Sequence, residues 1–237
     1  MVTTIHSLKF GINQCYIIRQ KGTIMIDGGP ANAIKKFNKY LERLNIQPDE
    51  IKLIVLTHGD FDHVGSAKNI KKLTGAKIAI HENDKPNLEQ GRFNWPPAVN
   101  FYGKFFRGLF YPFLKSISFP PEKADIVLTD SEFPLHNYGI EGTIIYTPGH
   151  TMGSVTVLLD SGEAFVGCMA HSGFPFRRKP NLPVFAENIE LIKKNWKTII
   201  NKGAKTIYPG HGKAFDVEEI KPFITLQQTT TKNRQPT

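Results

Sequence analysis

The sequence predicts an α/β fold, and three observations carry that prediction. Strand-like apolar runs alternate with helical ones: over residues 51–80 a strand, a polar loop, a helix and a second strand follow one another. Several apolar runs end in loops rich in Gly, His and Asp, namely GTIMIDGG, IVLTHGD, IIYTPGH, AFVGC and TIYPGH. Ends of that kind gather on one rim of a sheet sandwich, where each loop is held by a rigid element. The length, 237 residues with 40% hydrophobic and 22% charged, suits one domain with a sizeable core.

Residues 2–10, 13–19 and 22–27 read as strands, with a turn at Gln20–Gly22. Asp27 closes the third of them. A carboxylate at the end of an apolar strand needs a partner. It either orients a ligating histidine or caps the helix that follows. That helix, residues 31–45, carries Ile34, Phe37, Tyr40, Leu41 and Leu44 at helical spacing. Residues 52–56 form a buried strand, 66–74 a helix stopped by Gly75, and 76–80 a strand ending at His81 and Glu82.

Residues 84–121 break the rhythm. They hold ten of the 26 aromatic residues, with prolines at 96, 97, 112, 120 and 121 and one helical run at 100–114. The stretch reads as an insertion or lid lining an apolar pocket. A homodimer interface and a membrane-surface helix rimmed by Lys104, Arg107 and Lys115 are the alternatives. Strands resume at 125–128 and 143–147, and a hairpin at 155–159 and 164–166 turns over Asp160-Ser161-Gly162. The 171–186 loop carries Arg177, Arg178 and Lys179, which suit a substrate carboxylate or phosphate, or simply solvent. A helix over 187–201 buries Ile189, Ile192, Trp196 and Ile199 or Ile200. A strand at 204–208 and a short helix at 217–227 follow. The expectation is one domain over 1–228, with 84–121 inside it and a flexible tail at 229–237.

The net charge is +9, but 23 of the 30 basic residues are lysines scattered along the chain, so no nucleic-acid partner is expected. Two cysteines make no disulfide framework and point to a reducing, cytoplasmic setting. No signal peptide is evident, and no apolar run reaches transmembrane length.

The chemistry concentrates in six residues. His58, Asp60, Asp62 and His63 follow the buried strand, and adjacent carboxylates repel unless a cation lies between them. A divalent metal removes that penalty. His150, Cys168 and His211 close three later apolar runs in the same manner. His6, His81 and His136 read as surface or strand-end residues. His171, three residues after Cys168, is a candidate for substrate contact.

Five motifs now stand in order: IDGG at 26–29, THGDFDH at 57–63, PGHT at 148–151, VGC at 166–168 and PGHG at 209–212. Together they resemble the metallo-β-lactamase superfamily, the metal-dependent hydrolases that include glyoxalase II and lactonases. The resemblance implies a four-layer αββα sandwich. It also implies that His58, Asp60 and His150 hold one metal and that Asp62, His63 and His211 hold a second, with Cys168 in the bridging position. Asp60 stands where the family has histidine, and Cys168 where it has aspartate. Carboxylate, thiolate and imidazole all bind zinc, so two Zn are expected, with one metal, Fe or Mn as alternatives. Cys168 as a small buried apolar residue is the other reading of that position.

The implied activity is hydrolysis of an ester, thioester or lactone by a metal-bound hydroxide, with Asp62 as the catalytic carboxylate. The expected partner is a small molecule with an apolar part. Phosphodiesterase, iron-dependent oxygenase or redox enzyme, and catalytically weakened metal-binding protein are the alternatives on the same fold.

Overall fold

Three apolar runs separated by tight turns form β1 (Thr4–Phe10), β2 (Asn13–Arg19) and β3 (Thr23–Ile26) in a computed structural model of the chain. The structure describes residues 2–92, 95–114, 117–173 and 179–225, with the backbone alone at 110–114 and 225. The amphipathic run after β3 is α1 (Ile34–Leu44), which ends where Asn45 turns left-handed at φ 52°. β4 (Ile51–Val55) leads through the His/Asp loop into the single turn α2 (Phe61–Val64) and then α3 (Ala67–Thr74), stopped by Gly75. β5 (Lys77–His81), α4 (Lys85–Gln90), α5 (Phe101–Leu114) and β6 (Ile126–Leu128) follow.

The second half opens with β7 (Phe133–Pro134), β8 (Gly142–Tyr146), β9 (Val155–Leu159) and β10 (Glu163–Ser172). Asn188 caps α6 (Ile189–Asn201) by accepting the Leu191 N–H. β11 (Thr206–Gly212), β12 (Phe215–Asp216) and α7 (Lys221–Thr225) complete the order.

The strands join in the order β6-β5-β4-β3-β2-β11-β10-β9-β8-β7, with β1 beside β2 and β12 beside β11. β3 to β6 run parallel to one another, as do β10 and β11. One residue pair, Asn13 opposite His211, links β2 to β11. At that seam the sheet divides into two halves that face each other. Ile24, Ile26, Leu53 and Val55 from one half share a core with Val155, Val157, Leu159 and Phe165 from the other. Phe37 and Leu41 of α1 and Ile70 of α3 cover the outer face of the first half. Ile192, Trp196 and Ile199 of α6 cover the second. These are the four αββα layers expected. β3 and β9 are buried on both faces, which explains why their sequences show no polar alternation beyond Thr23 and Thr156.

Several expectations are corrected. β10 does not end at residue 166 but runs to Ser172, because pairing with β11 continues through a register shift at Gly167. Cys168 and His171 therefore lie on a strand. His81 is at a strand end but not on the surface; it is fully buried and stacked on Tyr146, ring centroids 4.4 Å apart and planes 7° apart. The 84–121 segment is anchored at both ends, since Leu88 and Phe119 belong to the core beneath α1 and α3. The last helical run divides into a 3-10 turn at Val217–Ile220 and α7. Phe93, Arg177, Arg178 and the 229–237 tail lie outside the described residues.

Candidate metal centre

The site begins with Asp27. Its backbone takes φ 61°, a left-handed conformation that aspartate tolerates better than most residues. Its carboxylate accepts the Thr57 N–H at 2.8 Å and the Thr57 hydroxyl at 2.9 Å. It also meets His63 Nδ1 at 2.8 Å. Asp27 thus orients a histidine, one of the two roles its position allowed. The three other imidazoles, of His58 and His150 on loops and of His211 on β11 rather than on the loop expected there, are tied through Nδ1 as well. His58 Nδ1 lies 2.9 Å from the Thr57 hydroxyl, His150 Nδ1 2.9 Å from the Phe185 carbonyl, and His211 Nδ1 3.2 Å from the Ile12 carbonyl. Each Nδ1–H has an acceptor, so each ring turns its Nε2 toward the centre.

Those Nε2 atoms fall into two groups that share Cys168 Sγ. His58, His150 and Cys168 form one and His63, His211 and Cys168 the other, with the ligand atoms of each group within 4.8 Å of one another. Cys168 Sγ is 3.3 Å from His63 Nε2, which is 3.4 Å from His211 Nε2. Asp60 joins the first group, its Oδ2 3.1 Å from His150 Nε2 and 3.6 Å from His58 Nε2. Asp62 joins the second, its Oδ2 3.5 Å from His211 Nε2 and 3.9 Å from His63 Nε2. Asn13 holds Asp62 in place by donating to Oδ2 at 2.8 Å and to the Asp62 carbonyl at 3.0 Å. All seven residues singled out in the sequence as ligands therefore converge.

Charge follows this geometry. Burial pushes the Cys168 thiol up, but the imidazoles of His63, His211, His58 and His150 outweigh it and hold the thiol well below its usual range. Burial pushes His63 and His150 down; Cys168 with Asp27 for the first, and with Asp60 for the second, raises both well above 6.5. Burial raises Asp62, and His63 and His211 more than reverse it. His58 Nε2 and Asp60 Oδ1 are among the buried atoms that have no hydrogen-bond partner. Orphaned donors and acceptors are rare in interiors. A cation between them satisfies both, so the residues fit a divalent metal.

Gly167 makes the convergence sterically feasible. Its φ is +52°, and a Cβ there would lie 2.4 Å from Thr57 Oγ1 and 3.2 Å from His58 Nδ1. His171 is buried beside His211, ring centroids 5.0 Å apart, and not at an open mouth. Burial lowers its pKa to about 4, so the ring is neutral at pH 7. The sequence reading missed Asn13, Thr57 and Asp84. Asp84 is buried, and its Oδ2 accepts the Gly59 N–H and the Thr151 hydroxyl, each at 2.7 Å, clamping the first ligand loop to the loop of His150. The one available signal was an acidic residue just beyond a buried strand in HEND at 81–84.

A family profile described as the metallo-beta-lactamase superfamily matches residues 8–211. The chain belongs to the metallo-β-lactamase superfamily. It is 26% identical over 219 residues to a probable metallo-hydrolase of Methanocaldococcus jannaschii, covering 91% of this chain and 95% of that protein. It is 28% identical over 185 residues to a probable metallo-hydrolase of Bacillus subtilis, covering 68% of this chain and 62% of that protein. Two crystal structures share the fold. A metallo-beta-lactamase family protein from Thermus thermophilus aligns with a TM-score of 0.68 at 17% identity, over 95% of this chain and 79% of that one. An archaeal superfamily protein from Sulfolobus tokodaii aligns with a TM-score of 0.63 at 19% identity, over 100% and 91%. Membership in this superfamily implies divalent-metal binding, and the donor set above accords with it. No helix among the described residues is long and apolar enough to cross a membrane.

Proposed function

We propose that the chain is a metal-dependent hydrolase of esters, thioesters or lactones that carry an apolar part. The observation that supports it is the convergence of four Nδ1-anchored imidazoles with Asp60, Asp62 and Cys168. His58, Asp60 and His150 would hold one metal and Asp62, His63 and His211 the other, with Cys168 Sγ within reach of both groups. The soft thiolate favours zinc, and its charge beside two carboxylates favours divalent over monovalent ions. When bound, such ions supply Lewis acidity and ease the deprotonation of water.

The residues of the chain do the rest. Asn13 fixes the Asp62 carboxylate so that Oδ2 faces the second histidine group. Ionised at neutral pH, Asp62 can accept a proton from the attacking water and pass it to the leaving oxygen or sulfur. Asp27 keeps His63 in one tautomer, and the Phe185 carbonyl does the same for His150.

The acyl preference rests on what flanks the ligands. Ile12, whose carbonyl holds His211, and Met152, two residues beyond His150, are both exposed apolar side chains. The experiment is turnover of ester, thioester and lactone series of increasing acyl length, before and after chelation and zinc return. The expected result is metal-dependent hydrolysis whose kcat/KM rises with acyl length. Zinc-loaded protein that turns over none of the three classes refutes the proposal.

A further inference from the structure

We infer that α5 docks the protein on an anionic lipid surface. Its packing is inverted relative to an ordinary surface helix. At about 3.6 residues per turn, Phe101, Phe105, Leu109 and Tyr102 share one face, and that face points to solvent. Phe101 is 84% exposed and Phe105 64%. Nine large apolar side chains are exposed among the described residues, and four of them sit on this one helix.

Gly103 fixes the orientation. It lies on the opposite face, buried, where a Cβ would meet the Val184 carbonyl at 2.6 Å. Only a glycine lets the helix sit this close to residues 184–185. Phe106 completes the inner contact, its ring 6.4 Å from that of Phe185. α5 therefore cannot roll its aromatic face inward without separating from its seat. The seat is also functional, because the Phe185 carbonyl anchors His150.

Charge selects the occupant. No Asp or Glu occurs from Gly91 to Pro121, a stretch that carries Arg92, Lys104, Arg107 and Lys115. The chain as a whole carries +9. A second copy would bring the same helix, with Lys104 and Arg107 and no acidic residue, and the two would repel. Anionic headgroups complement it, and the aromatic face suits the boundary between headgroups and acyl chains. Fourteen residues rise about 21 Å, too short to span a bilayer, so the helix lies in the interface. Docking there brings the His150 loop next to the layer that holds acyl chains.

The test is co-sedimentation of the full chain with vesicles of phosphatidylcholine alone, and of phosphatidylcholine and phosphatidylserine in equal parts. It needs no turnover, so its result is separate from that of the hydrolase reading. The expected result is binding to the mixed vesicles that weakens with salt, and little binding to phosphatidylcholine. The double variant Phe101→Ser/Phe105→Ser should lower the partition coefficient about tenfold or more, and Lys104→Glu about fivefold. Both are outward positions, so circular dichroism and zinc content should be unchanged, as sedimentation controls. Equal binding to both vesicle types, no binding to either, or unchanged binding by the double variant overturns the inference. So does a wild-type dimer that the double variant converts to monomer without any vesicle binding.

Discussion

Replacing Asp84 by alanine separates the scaffold of the site from its ligands. Asp84 Oδ2 accepts two hydrogen bonds at 2.7 Å, from the Gly59 N–H and the Thr151 hydroxyl, and the residue is 4% exposed. Alanine removes the shared acceptor of these two buried donors. At about 1.5–3 kcal/mol for each hydrogen bond to a charged group, the loss is about 3–6 kcal/mol. Thr151 retains its contact with the Ser154 hydroxyl at 2.8 Å, which places the expectation near the lower end. Urea unfolding in the presence of chelator reads this loss without any contribution from bound metal. Asp84→Asn keeps an acceptor oxygen and should cost about half as much. Because Gly59 sits between His58 and Asp60, and Thr151 follows His150, the same variant should weaken zinc binding by about tenfold or more in chelator competition. An Asp84→Ala protein within about 0.5 kcal/mol of wild type, with unchanged zinc affinity, refutes the clamp.

Further outcomes follow from other contacts. Asp27→Ala removes the acceptor of His63 Nδ1 and should lower zinc affinity about 10–100-fold, measured by competition with a chromophoric chelator. Cys168→Ser should reduce the zinc bound per chain in elemental analysis, since Sγ is the one atom common to both ligand groups. Gly167→Ala forces a Cβ into the Thr57 hydroxyl at a left-handed backbone position and should cost over about 2 kcal/mol in urea unfolding. Burial raises the Asp125 carboxyl, but Lys71 and the Ile78 N–H outweigh it and hold it below 3.8. A depressed carboxylate stabilises the fold above its unfolded pKa, and that contribution is lost as pH falls through the folded one. Asp125→Asn should therefore destabilise slightly at pH 7, with the difference from wild type vanishing below pH ~4.

The ligands were legible because their residue types are expensive anywhere else. His58, Asp60, Asp62 and His63 cluster after an apolar strand, and such a cluster announces a cation whatever the fold. The αββα layering was legible through the resemblance, and the individual strands through their apolar runs. What the sequence could not show was the tether of each ligand. Asp84 lies 25 residues from Gly59 and 67 from Thr151, and Asn13 lies 49 from Asp62. Polar residues at such separations look like loop residues until the chain closes. The burial of His81 was hidden for the same reason: it ends its strand as read, but Tyr146, brought over by β8, stacks on it. The extension of β10 depended on its partner β11, with His211 lying 40 residues beyond His171, which no local pattern reports.

The seam between the half-sheets carries one further consequence. Asn13 opposite His211 is the single β-ladder pair joining β2 to β11 among the described residues. The proposed ligands straddle it, with Asp60 and His150 90 residues apart and His63 and His211 148 apart. An ion gripped from both sides is a clasp closing two long loops, and crosslinks of that span restrict the loosened chain most. Chelator in a purification buffer would then unfasten the sheet as well as empty the site. Inactive preparations should be sought first among those that have come apart at this joint.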